Sequence, residues 1–297
     1  MDADTYVEAN RRQWDVWAPL KAESAFYDLD GFRQGGVRIP ALERAEVGDV
    51  AGKSLLHLQS HVGIDTLSWA RLGASVTGVD FSREAVAIAR TLATELELPA
   101  TFVESNVYDL PRVLDKTFDV VYTSRGVLGW LPELQRWAEV VAHFVAPGGT
   151  FYLFEVHPTA WIFDNKVTEP VLRPRYPYFG QLEPLRFEYQ SPCAVPDATI
   201  TSVEYVWGHG LGEIVSSLVD AGLCIEFLHE WPFVFWPMLP FMEHDEGWWR
   251  LPAELPSVPL SFSLRAVKPP EQPRGLEEAA CRLGPRLGRT DQHPVLR

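Results

Sequence analysis

Short apolar runs alternate with amphipathic stretches from about residue 50 to residue 157. That rhythm is the signature of β-α-β units and a parallel sheet. It predicts strands over 54–59 (SLLHLQ), 75–80 (SVTGVD), 100–105 (ATFVES), 118–124 (FDVVYTS) and 150–156 (TFYLFEV), with helices over 65–72, 83–97 and 132–144 between them. The second helix carries Ala85, Ile88, Ala89, Leu92 and Leu96 on one face, and Pro99 follows its end as a stop. Connections this short force right-handed crossovers and an open α/β sheet.

The rhythm breaks between about 158 and 208, where Pro and aromatic residues crowd around two strand-like pieces, RFEYQ and TSVEYVW. It then resumes with a helix over 211–221, Gly222 as its C-terminal stop, and strands at 224–231 and 260–267. Residues 268–297 have few bulky apolar side chains and are expected to form a disordered tail. The expected organisation is an N-terminal helix and loop over 1–49, one domain over 50–267 with an insertion at about 158–208, and the tail.

Composition narrows the function classes. The 297 residues hold 26 Lys and Arg against 40 Asp and Glu, a net charge of −14. Phosphate-backbone binding needs a basic surface, so DNA is not an expected partner. No apolar run is long enough for a membrane span, and no secretory signal opens the chain, so a cytoplasmic setting is expected. Three widely spaced cysteines without a C-x-x-C pair, and scattered histidines, predict neither structural disulfides nor a metal site. A surplus of 11 Trp and 24 Pro asks where those residues sit.

Doubly wound sheets bind ligands beyond the carboxyl ends of their strands. Three strand ends here carry suitable groups. The loop QSHVG opens a helix whose N–H groups can face a ligand, Asp80 stands about 20 positions further on where a carboxylate can take ribose hydroxyls, and Asn106 with Val107 can read an adenine edge. A nicotinamide dinucleotide would want G-x-G-x-x-G for its pyrophosphate, whereas Gln59 and His61 occupy the tight loop here. Side chains in that loop suit a cofactor bearing an ammonium and a carboxylate.

The ordered series LHLQSHVGIDTLSWARLGASVTGVDFS, YTSRGVLGWLPEL, APGGTFYLFEVHP, LGEIVSSLVDAGL and FLHEWP resembles the class I S-adenosylmethionine-dependent methyltransferases, over about 50–267. It departs from their usual D-x-G-x-G-x-G, with His57, Gln59 and His61 replacing the acid and two glycines. The resemblance implies a Rossmann-like seven-stranded mixed sheet with helices on both faces, an antiparallel final strand and an aromatic-rich lid after the fifth strand. It also implies S-adenosyl-L-methionine as cofactor, with S-adenosyl-L-homocysteine as product. Gln59, Ser60, His61 and Gly63 would lie along the methionyl part, Asp80 on the ribose, Phe81 beside the adenine, and Asn106 and Val107 at its amino edge. Ser124, Arg125 and Gly126 would line the sulfonium end, and the helix holding Trp14 would cover the cofactor.

Methyl transfer needs alignment and exclusion of water, with a base only where the acceptor must lose a proton. His157 in FEVHP and His209 in WGHG are the candidate bases. The aromatic surplus in the insertion and in WPFVFWPMLPF favours a roofed pocket for a small apolar or aromatic acceptor. A protein or RNA methyltransferase and a non-methylating protein that binds the same cofactor are the alternatives. A homodimer is left open.

Overall fold

The computed structural model describes residues 3–181, 183–189 and 201–270. In chain order the helices are α1 (Ala3–Ala22), α2 (Leu29–Arg33), α3 (Ala41–Val47), α4 (Ile64–Arg71), α5 (Arg83–Glu95), α6 (Leu134–Phe144) and α7 (Leu211–Asp220). The main sheet contains β1 (Ser54–Leu58), β2 (Ser75–Asp80), β3 (Ala100–Glu104), β4 (Phe118–Ser124) and β5 (Val145–Val156). A hairpin, β6 (Leu185–Tyr189) and β7 (Ser202–Val206), lies in the insertion. Then come β8 (Cys224–Trp231), three short strands β9 (Phe233–Val234), β10 (Glu243–Asp245) and β11 (Trp248–Arg250), and finally β12 (Ser261–Val267).

Seven strands form one sheet in the order β3-β2-β1-β4-β5-β12-β8, with β12 antiparallel to both its neighbours. The first five pair in parallel, so both faces of the central strands must be covered. Leu55, Leu56, Val120, Val121, Phe151 and Leu153 are correspondingly buried. The first four expected strands therefore fall where the apolar runs place them, and the final strand is antiparallel as expected. Strand order reverses between β1 and β4, which opens a crevice at their carboxyl ends.

Local chemistry explains how the helices meet that edge. Ser82 caps α5 by accepting the N–H of Ala85. Gly63 precedes α4 with φ +79°, and a Cβ there would lie 2.7 Å from both the Ala89 methyl and the Phe102 ring. Only glycine lets the first loop press that closely against α5 and β3. The fifth strand begins at Val145, five residues earlier than its apolar run suggests, and β9–β11, each only two or three residues long, form a separate three-stranded sheet. The tail expected at 268–297 falls, from residue 271 on, outside the described residues.

Helix α1 continues three residues past Pro19, which lacks an N–H but does not end it. It lies across the crevice and is fastened at two points. Asp15 accepts hydrogen bonds from Ser82 Oγ (2.7 Å) and the Glu84 N–H (3.3 Å), at the start of α5. Asn10, almost fully buried, donates from Nδ2 to the Tyr205 carbonyl (2.8 Å) and accepts the Tyr205 N–H at Oδ1 (3.0 Å). Its amide thereby supplies both bonds that a neighbouring strand would give β7. The hairpin is also tied to the turn after β4 by the Trp207 N–H donating to the Gly129 carbonyl (2.8 Å). Truncation by Asn10→Ala strands a donor and an acceptor of Tyr205, so the unfolding free energy should fall by about 1–3 kcal/mol in urea titrations. Exchange of the Tyr205 amide should accelerate; unchanged exchange would show that α1 and the hairpin are not joined through Asn10.

Candidate active site

Both loops that flank the crevice contain backbone that ordinary side chains avoid. After β1, Gln59 and His61 have φ of 56° and 49°; after β4, Arg125 has φ 56° and Gly126 φ 81°. Such conformations cost on the order of 1–3 kcal/mol for each non-glycine residue unless the surroundings impose them. A carboxylate from the adjacent strand accepts N–H groups of each loop.

Asp80, the last residue of β2, accepts the His61 N–H at Oδ2 (2.7 Å) and the Ser82 N–H at Oδ1 (2.9 Å). Burial pushes its pKa up to about 6, against the pull of these N–H donors. Glu155, next to last in β5, accepts N–H bonds from Gly126 (2.8 Å), Val127 (2.7 Å) and Leu128 (3.0 Å). Burial raises its pKa too, and those backbone donors oppose the rise. Each oxygen of Asp80 retains acceptor capacity, so the group that shapes the first loop can also meet a ligand.

Beneath the second loop lies a charged cluster. The Arg125 guanidinium contacts Glu43 of α3 (Nε–Oε1 2.9 Å) and Asp65 of α4 (Nη2–Oδ2 3.0 Å). Glu43 is fully buried and also accepts from the Tyr122 hydroxyl; burial lifts its pKa to about 7 while Arg125 pulls it down. His57 stands where the common motif has an acid. Its Nδ1 is 2.8 Å from Thr66 Oγ1 and its Nε2 3.3 Å from Ser124 Oγ, and burial with the nearby Arg125 drops its pKa to about 3, so the ring is neutral. The ring joins β1, α4 and β4 without adding a charge.

The crevice widens into a cavity of about 920 Å³, near the upper end of the about 300–1,000 Å³ range of ligand pockets. Gln59, Ser60, His61, Gly63, Asp80, Phe81, Asn106, Val107, Ser124, Arg125 and Gly126 all line it, as does Trp14. Trp14 bridges the two loops from above, with its ring 5.0 Å from His61 and 5.3 Å from Trp130, both edge-on. Trp130 is anchored by its Nε1–H donating to the Gly126 carbonyl (2.9 Å). Trp236 packs on Gly126 so tightly that a Cβ there would come within 2.8 Å of its ring.

Several polar atoms in this cavity lack partners. Gln59 Oε1, Ser60 Oγ and both ring nitrogens of His61 are buried without a hydrogen bond among the described residues. Asn106 uses Oδ1 to accept the Tyr108 N–H (3.1 Å), capping a short 3-10 turn over Val107–Arg112. The two candidate bases are placed differently. His157 is not among the cavity-lining residues; its Nδ1 accepts the Thr159 N–H (3.0 Å) and its Nε2 is 3.0 Å from Glu230. His209 lines the cavity, with Nε2 2.7 Å from the Leu131 carbonyl and Nδ1 3.4 Å from Glu213. Glu155, Glu43 and the Lys21 ammonium, which lies 4.1 Å from the centre of the Trp14 ring, carry structural weight that the sequence analysis did not assign. A carboxylate one residue before a strand end was the available signal for Glu155.

Comparison with known proteins agrees with this architecture. A methyltransferase-domain family model matches residues 56–153. The ubiquinone biosynthesis O-methyltransferase of Photorhabdus laumondii is 31% identical over 156 residues, covering 50% of this chain and 65% of that one. The enzyme of the same name from Proteus mirabilis is 29% identical over 162 residues, 52% of this chain and 65% of the relative. The match thus spans just under two thirds of these relatives' length. An S-adenosylmethionine-dependent methyltransferase from Mesorhizobium loti superposes with TM-score 0.51 at 19% identity, covering 79% of this chain and 99% of that one. A glycopeptide N-methyltransferase complexed with sinefungin gives TM-score 0.51 at 17% identity, covering 77% and 84%. The chain has the Rossmann-like methyltransferase fold.

Glu155→Ala removes the shared acceptor of four N–H groups, those of Gly126, Val127, Leu128 and Val156. Unmet buried donors cost about 1–3 kcal/mol each, so unfolding free energy should fall by roughly 3 kcal/mol or more in urea. A loss below about 1 kcal/mol would show that Glu155 does not hold the loop.

Proposed function

We propose that the protein is an S-adenosylmethionine-dependent methyltransferase acting on a small apolar or aromatic acceptor. The observation that carries this reading is the set of unpartnered buried atoms of Gln59, Ser60 and His61 beside Asp80 in the crevice. These donors and acceptors fit an α-amino acid joined to a ribose, and no phosphate-cradling glycine run is needed. The family match over 56–153 and the fold support the same cofactor. The relatives' name, O-methyltransferase, favours oxygen as the acceptor atom.

When bound, the cofactor supplies an electrophilic methyl group on a sulfonium. Asp80 would accept the ribose hydroxyls, and Phe81, Asn106 and Val107 would hold the adenine. Gln59, Ser60 and His61 would meet the methionyl end, and Ser124, Arg125 and Gly126 would lie on the sulfonium side. Trp14 and Trp130 close the cavity and exclude water, which alignment in a displacement reaction requires. With His157 outside the cavity lining and both ring nitrogens of His209 engaged, these residues hold the loops that they join rather than move a proton.

Incubation with methyl-labelled cofactor and a fractionated extract should place label in the small-molecule fraction. Label on protein or RNA would overturn the acceptor class, and no transfer would favour a binding protein. Asp80 also implies a pH dependence. Its carboxylate accepts two hydroxyls only when ionised, and its pKa of about 6 means that S-adenosylhomocysteine affinity should weaken as pH falls through 6. The limit is about tenfold per unit. Asp80→Asn should be weaker at pH 7.5 and flat below it, as calorimetry would read; a pH-independent wild type contradicts the ribose role.

A further inference from the structure

Four carboxyl side chains line the cavity: Asp65, Asp80, Glu155 and Glu204. Three are held by protein donors. Asp65 pairs with Arg125, Asp80 holds the His61 and Ser82 N–H groups, and Glu155 holds the turn after β4. Glu204 differs, for among the described residues no hydrogen bond reaches its carboxyl.

Its position is well defined. Glu204 lies at the middle of β7, opposite Phe187 of β6, and alternation puts it on the same face as Val206. Val206 sits above the turn after β4, where a Cβ on Gly129 would be 3.0 Å from its Cγ1. Glu204 therefore comes from the roof, on the face that covers the second loop. Burial pushes its pKa up to about 7, and the opposing influence is the positive charge of Lys21, itself stacked on Trp14.

A carboxyl that lines an aromatic-rich cavity and receives no hydrogen bond there has its acceptor capacity open to a ligand. A ligand donor would be met by it. Lys21 already supplies the local positive charge and would repel a second cation, so a neutral hydroxyl suits the place better than an ammonium. We propose that Glu204 is the acceptor-anchoring residue: its carboxyl accepts a hydrogen bond from a hydroxyl on the apolar ring of the methyl acceptor. This rests on the methyl-transfer reading and specifies the functional group that the aromatic roof selects.

The test uses the full chain saturated with S-adenosylhomocysteine and titrated, by ligand-observed NMR, with phenol, toluene and benzylamine. Wild type should bind phenol at least about fivefold more tightly than toluene, the value of one hydrogen bond. Glu204→Leu should abolish that preference, and Glu204→Gln, whose amide carbonyl still accepts, should keep part of it. No phenol preference in wild type, a preference that survives Glu204→Leu, or benzylamine bound more tightly than phenol would each overturn the proposal. S-adenosylhomocysteine should bind Glu204→Gln as it binds wild type; loss of that binding would assign Glu204 to the cofactor and overturn it as well. Failure of wild type itself to bind S-adenosylhomocysteine would contradict the methyl-transfer reading, whereas normal binding without phenol preference contradicts only the role of Glu204.

Discussion

The site depends on two buried carboxylates that must find N–H donors. Asp80 closes β2 and Glu155 stands one residue before the end of β5, on either side of the central pair β1 and β4, and each accepts N–H donors from the loop of the strand beside it. Removing a carboxylate from water is expensive, and backbone N–H groups turned toward it are what make it tolerable. These bonds reach His61 and Gly126, both in left-handed backbone, and the loops that also hold Gln59 and Arg125 in that conformation. Satisfying the carboxylates and bending the loops away from the sheet edge are thus one event, and the crevice at the switch point results from it.

The roof answers a second requirement, that the crevice be closed without being filled. Helix α1 brings Trp14 over both loops, and its two fastenings, Asp15 at the start of α5 and Asn10 on β7, lie far apart in sequence. The N-terminal helix and the insertion hairpin consequently form a continuous cover. Arg125 contributes from below, where Glu43 and Asp65 neutralise it and hold α3 and α4 against the second loop. A cavity built this way has apolar walls, a polar floor of loop atoms, and one carboxyl, Glu204, facing in from the roof.

Much of this could be read from the residues. Parallel strands buried on both faces appear as apolar runs, so β1 to β4 and the helices between them stand nearly where periodicity places them. Asp80 and the loop residues were legible because a strand end with an acid about 20 positions beyond a tight loop is a local pattern. Partnerships across long separations were not. Nothing in the neighbourhood of Glu43 announces Arg125, and nothing near Asn10 announces Tyr205. His157 shows a related limit: position after a strand end gives a place, but direction is set by the Thr159 N–H and by Glu230. The short strands β9 to β11 were hidden because each is only two or three residues long, too short to show alternation.

The most direct test is an NMR titration of the unliganded protein with S-adenosylhomocysteine, following the backbone amides of His61 and Val127. These are donors to Asp80 and Glu155, one from each loop. If the two carboxylate-held loops form a single cofactor site, both resonances shift along one isotherm with one Kd. A response confined to one loop, or none from either, would contradict the account.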